Sequence, residues 1–249
     1  MSMKQLLIIP ICWLVLTEYT QAQDFITRGT IEFEIKRNNK RYFSDAQRAN
    51  NNWIANLPEF DIWYRELVFS GDQLLYLPGR RGTLTANVND NSVYTDLDNK
   101  KTISKQTFIN EAFIIEDSVL PVKWKIENEI RKIAGFECRK AVGRIYDSVY
   151  VVAFYCPEIV PQGGPEFFSG LPGMILGLAI PRYSTTWFAT KIELASTDGS
   201  KITPPTAKKS KQYTKKELAD ILSKKYVEAG RWKEASPKRA LKELDHYTF

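Results

Sequence analysis

The 249-residue chain carries 35 Lys and Arg against 29 Asp and Glu, with 43% hydrophobic, 12% aromatic and 26% charged residues. Those proportions argue against a collagen-like, coiled-coil, wholly disordered or multi-span membrane protein. One histidine in the whole chain, His246, excludes any site built on two His ligands and leaves a His-based triad without support.

Residues 1–22 read as a secretory signal. Lys4 supplies the positive start, and Leu6 to Leu16 is an apolar run shorter than the ~20 residues of a membrane span. Thr20-Gln21-Ala22 is a small-x-small cleavage signal. The expected organisation is a signal over 1–22, a β-rich domain over 23–200 and a basic helical tail over 201–249.

Within the β-rich part, Ile31, Phe33 and Ile35 alternate with Glu32, Glu34 and Lys36, as a strand with one wet face requires. Leu67-Val68-Phe69 and Leu74 to Leu77 flank a hairpin turn at Ser70-Gly71-Asp72-Gln73. Trp124 and Ile126 precede a charged turn, and Thr185 to Leu194 alternates again. Residues 39–58 and 86–105, rich in Asn, Asp and Lys, read as loops. Short turns between strands predict an antiparallel sheet and an α+β, mainly β fold: a curved sheet or half-barrel, by analogy with periplasmic lipoprotein carriers, with a C-terminal helical appendage.

The tail begins after Pro204-Pro205. Thr214 and Glu217 form a capping-box pattern before Leu218, Ile221, Leu222 and Tyr226, with Gly230 as the stop. Ser236-Pro237 opens a second helix carrying Leu241 and Leu244. Residues 201–249 hold 13 Lys and Arg against 6 Asp and Glu, so the rest of the chain is nearly neutral. Lys215, Lys216, Lys224 and Lys225 flank the apolar stripe; either they face solvent or they attract an anionic membrane surface. Nucleic acid is not an expected partner, because no stacking platform accompanies the charge.

Phe136 to Gly143 and Val149 to Cys156 read as strands around Tyr146-Asp147-Ser148. A hairpin centred on Asp147 pairs residues whose numbers total 294, which sets Cys138 opposite Cys156 with Cα atoms ~4.5–5.5 Å apart. A disulfide is expected, with two free thiols as the alternative. No CxxC is present.

The stretch Gly163-Gly164-Pro165-Glu166-Phe167-Phe168-Ser169-Gly170-Leu171-Pro172-Gly173-Met174-Ile175 resembles the signature of the GLPGLI family of exported bacterial proteins. Trp124-Lys125-Ile126, Arg131-Lys132-Ile133, Gly135-Phe136-Glu137-Cys138 and Glu158 to Pro161 fit the same pattern. Met174 replaces a usual Leu, Phe154 a usual Trp, and Cys156 is an addition. The resemblance implies export to the periplasm or exterior of a Gram-negative bacterium, and no established activity.

Pro172-Gly173 is expected at the centre of a type II turn. The surrounding apolar residues allow two readings. They form a buried loop closing one end of the sheet, or a rim gripping a ligand through Trp124, Phe167, Gly170, Leu171, Pro172, Gly173, Met174 and Ile175. The expected function is a non-enzymatic binding or accessory protein of the cell envelope, partnered by a hydrophobic ligand or an outer-membrane protein. The alternatives are a periplasmic carrier of lipid and a carboxylate-dependent hydrolase. No cofactor, metal or catalytic residue is assigned. The oxygen-rich stretches Asn87 to Asn91 and Asp96-Leu97-Asp98 lack EF-hand order.

Overall fold

The computed structural model describes residues 25–41, 43–83, 91–146, 148–194, 199, 202–206 and 211–246. The signal-like segment 1–22 lies outside them, as does most of Asn87 to Asn91. Twelve strands among the described residues form a single sheet. They are β1 (Arg28–Asn38), β2 (Phe60–Ser70), β3 (Gln73–Pro78), β4 (Ser92–Asp96), β5 (Lys101–Phe108), β6 (Glu111–Ser118), β7 (Lys125–Ile133), β8 (Phe136–Ile145), β9 (Val149–Cys156), β10 (Met174–Ile180), β11 (Thr185–Leu194) and β12 (Gln212–Thr214). Four helices accompany them: α1 (Asp45–Asn50), α2 (Asn52–Ala55), α3 (Lys215–Glu228) and α4 (Pro237–His246). The fold is thus α+β, mainly β, as the alternation predicts.

Across the sheet the order is β12-β6-β5-β4-β3-β2-β1-β11-β10-β9-β8-β7. All pairs are antiparallel except β12 with β6. Chain length alone forces this sheet to curl. Strands β6 and β7 are ten places apart, about 48 Å along a flat sheet at ~4.8 Å per strand. Yet only residues 119–124 join them, a reach of at most about 25 Å. The two ends of the sheet must therefore approach each other.

The curl encloses the core. Ile31, Phe33 and Ile35 on β1, Leu67 and Phe69 on β2, Leu74 and Tyr76 on β3, Leu178 on β10 and Trp187 on β11 are all at most 2% exposed. Their alternation partners on β1 (Glu32, Glu34, Lys36) lie on the opposite face, half-buried.

Two stretches depart from expectation. Residues 86–105 include strand β4 and the first five residues of β5: Ser92, Thr95, Thr102 and Ser104 are buried despite their polarity, so composition alone reads them as loop. Residues 39–58 hold the short helices α1 and α2. Ser44 caps the first, accepting from the Gln47 N–H while the Gln47 side chain accepts from the Ser44 N–H.

The C-terminal elements dock on the far end of the sheet. Leu218, Ala219, Leu222, Tyr226, Trp232, Ala240 and Leu244 pack with Phe108, Phe113 and Ile115 in a second core. The Thr214–Glu217 capping box forms both of its bonds, at 3.2 and 2.9 Å. Gly230, at φ +69°, ends the helix by allowing a left-handed residue there.

Candidate functional site

The segment between β9 and β10, residues 157–173, runs inside the curl. A Cβ on Gly163 would sit 2.2 Å from Leu74 Cδ2 on β3, so the loop presses on that strand's core side chain and a larger residue there would have to displace it. Gly170 N–H donates to Gln162 O (2.9 Å) and Ile175 N–H to Gly163 O (2.8 Å), folding the loop on itself. The expected type II turn is not formed. Gly173 N–H donates to Leu171 O at 2.8 Å, closing a three-residue γ-turn about Pro172, and Gly173 takes φ +140°.

Among the expected rim residues, Leu171, Met174 and Ile175 are at most 1% exposed, within the main core. Trp124 and Phe167 are half-buried, while Gly170 and Pro172 reach solvent. Trp124 Nε1 donates to Ser169 O at 2.9 Å and its ring lies 6.4 Å from Phe168, pinning the loop from outside. A hollow beside Phe167, Leu120, Pro121 and Tyr146 has about 60 Å³, room for about two waters at ~30 Å³ each. Leu171, Met174 and Ile175 thus plug the core, while Gly170 and Pro172 face solvent.

Sequence reasoning missed a polar cluster beneath this loop. Glu166, at φ +57°, turns its carboxyl inward, where it accepts from Trp187 Nε1 at 3.3 Å and faces the Tyr76 hydroxyl and the Arg65 guanidinium. Arg65 is 6% exposed and donates through Nη1 to Asn91 O at 2.6 Å. Burial raises the Glu166 carboxyl above the usual range, against the pull of Arg65, the hydrogen bond from Trp187 and the nearby Tyr76 hydroxyl. Burial also lifts Tyr76 well above an ordinary tyrosine. The only hint in the sequence was one charge between Gly-Gly-Pro and Phe-Phe. Paired-carboxylate hydrolysis needs two acids, and the groups that bias Glu166 are Arg65, Trp187 and Tyr76.

A carboxyl raised in the fold binds its proton more tightly folded than unfolded. Its favourable contribution is complete below the unfolded pKa and is lost as pH rises through the folded one. Glu166→Gln keeps an acceptor for Trp187 but cannot ionise. Thermal melts should place the variant near wild type at pH 4 and above it at pH 8; parallel curves would contradict the assignment.

The described residues contain no group of three or more His, Cys, Asp or Glu able to hold a metal ion. Asp96 instead accepts from the Asn99 backbone and side chain (3.0 and 2.8 Å), which fixes a turn and lowers its carboxyl from the usual range. The expected disulfide is not formed in the structure: Cys138 and Cys156 are free, buried cysteines. Their placement follows the expected register, since Arg139↔Tyr155 through Ile145↔Val149 all total 294.

Two of the tail's singled-out lysines are engaged by the protein itself. Lys215 pairs with Asp117 (2.9 Å) and Lys225 with Glu111 (2.8 Å), both on β6. The apolar stripe of Leu218, Leu222 and Tyr226 is buried against the sheet, so only Lys216 and Lys224 of the four singled-out lysines stand fully exposed. No described helix is long and apolar enough to cross a membrane.

A cleft of about 410 Å³ lies at the other end of β1, on the face opposite the core. Phe60, Ala179 and Pro181 give it an apolar floor; Ser184, Thr185 and Thr186 add hydroxyls; Lys36 and Arg41 add two cations. No acid is among its nine lining residues. The register brings the parts together, with Lys36 beside Thr186 and Ile62, and Asn38 beside Phe60. Lys36 Nζ lies 3.9 Å from the centre of the Phe60 ring. The size suits a small ligand.

The chain is thus a strongly curled antiparallel-sheet protein with a plugged interior and an outer-face cleft. No protein-family model matches the sequence, and no curated protein matches it. Among solved structures it resembles PNGF-II in two crystal forms, each with a TM-score of 0.51. Sequence identities are 14% and 15%, over 75% and 76% of this chain. The match spans only 30% and 32% of the PNGF-II chains. An uncharacterized conserved protein from Thermus thermophilus matches 77% of this chain and 93% of its own at 7% identity and a TM-score of 0.41. At these identities the PNGF-II likeness concerns the fold alone.

Proposed function

We propose that the chain is an exported, non-enzymatic binding protein of the cell envelope, and that its ligand is an amphipathic anion held in the cleft between Phe60, Pro181 and Lys36. One observation carries the reading: a cleft of small-molecule size with an apolar floor, two cations and no acid. The apolar body would cover Phe60, Ala179 and Pro181, and the anionic head would meet Lys36 and Arg41. The signal-like residues 1–22 support export, and the Gly170–Ile175 signature supports a place beside the GLPGLI proteins. Anilinonaphthalene sulfonate has the right chemistry, an aromatic body with one negative charge. It should bind the folded protein with one-to-one stoichiometry and be displaced by decanoate but not by decanol. Equal displacement by both would show that charge plays no part.

An accessory role has its own support. Among the described strands β7 is a free edge, carrying Ile126 (46% exposed) and Ile130 (60% exposed). Its register shift against β8 and its charges Lys125, Glu127, Glu129 and Arg131 restrain indiscriminate pairing. In PNGF-II a similar fold occupies about a third of a longer chain, which suits a module serving a larger assembly.

A further inference from the structure

We propose that Cys138 and Cys156 close a disulfide when the folding chain meets a disulfide oxidant, and that this bond clamps the base of the 157–173 loop. The β8–β9 pairing runs from Ile145↔Val149 to Arg139↔Tyr155, and the next step sets Cys138 opposite Cys156. Cys138 also pairs with Arg131 of β7, and Cys156 with Met174 of β10, so the two sulfurs sit at the middle of a four-strand row. Both residues are 0% exposed, and the Cys138 thiol donates to Phe136 O at 3.6 Å. Directly opposed positions at ~4.5–5.5 Å between Cα atoms suit a disulfide.

The position explains what the bond would hold. Cys156 ends β9, where the loop departs, and Gly173 returns so close that a Cβ there would lie 2.1 Å from Cys156 O. Met174 N–H then donates to Ile159 O at 2.9 Å, and Ile159 bridges to Ile26. A bond from Cys156 to β8 therefore ties the exit and the return of the loop to one neighbouring strand.

In the folded protein the neighbouring Cys138 and the Glu158 and Ile159 backbone N–H groups hold the Cys156 thiol down against burial, whereas its partner and burial hold Cys138 well above an ordinary thiol. In the folding chain, before that environment exists, either thiolate can attack first, Cys156 for instance. With glutathione disulfide, its sulfur bonds to one glutathione sulfur and releases the other as glutathione. Cys138 then gives its proton to solvent and attacks Cys156 Sγ, expelling the second glutathione. Two protein thiols become one disulfide, and one glutathione disulfide becomes two glutathiones. Because the folded pair is inaccessible, the exchange belongs to the folding chain.

The test uses the full chain, refolded from denaturant with glutathione disulfide and glutathione, or with dithiothreitol. Iodoacetamide in denaturant followed by peptide mass mapping should find Cys138 and Cys156 unmodified after the first refolding and both alkylated after the second. The oxidised form should melt ~6–12 °C higher and resist proteolysis between 157 and 173. Alkylation of both Cys138 and Cys156 after either refolding, or identical melts and cleavage rates, would overturn the proposal. Cys138→Ala/Cys156→Ala should melt the same in both buffers; the wild-type comparison stands by itself if this variant does not fold.

Discussion

Leu171→Asp is expected to unfold the protein at room temperature. Leu171 is 1% exposed and packed in the main core. Removing such a side chain to Ala costs about 2–5 kcal/mol, and a carboxylate in its place adds the penalty of a buried, unpaired charge. Against a domain stability of about 5–15 kcal/mol, that is most or all of what holds the fold. Near-UV circular dichroism should show lost tertiary signal. A variant melting within two or three degrees of wild type would mean that the Gly170–Ile175 segment is a surface rim and not a plug.

Gly173→Ala should cost about 3 kcal/mol or more, seen as a fall of ~6–12 °C in Tm. Two effects combine at this residue. Its φ of +140° is one that side-chain-bearing residues rarely adopt, and a Cβ would meet Cys156 O at 2.1 Å, a backbone atom that cannot swing aside. Gly135→Ala is the control, because Gly135 has φ +93° but nothing within 4 Å of a Cβ. It should lose only ~1 kcal/mol. Equal losses at the two sites would mean that conformation alone, and not the close approach to Cys156, demands glycine at position 173.

What could be read from the sequence is what neighbouring residues determine among themselves. The β8–β9 register was legible because a short turn fixes which residues oppose each other. The Thr214–Glu217 cap was legible because its bonds span three residues. Strands β4 and β5 were obscured by polar side chains that only their sheet neighbours bury. The γ-turn at Pro172 stands where a type II turn was expected, at a point where the returning chain passes close to Cys156 O, a contact local sequence does not report. Composition read the tail as an appendage, whereas β12 joins the sheet beside β6, a pairing 98 residues apart at Gln212↔Ile114. The cleft was invisible for the same reason: Lys36, Phe60, Ala179 and Thr186 meet only where four strands converge.

The position of binding tests the account most directly. Anilinonaphthalene sulfonate titrations on wild type, Lys36→Ala and Phe167→Ala, each shown by near-UV circular dichroism to be folded, separate the outer cleft from the signature loop. Loss of one charge-assisted contact, about 1.5–3 kcal/mol, corresponds to a rise in Kd of about tenfold or more. The account predicts that rise for Lys36→Ala and an unchanged Kd for Phe167→Ala. Weakened binding in Phe167→Ala with Lys36→Ala unaffected would contradict it and return the site to the Gly170–Ile175 loop.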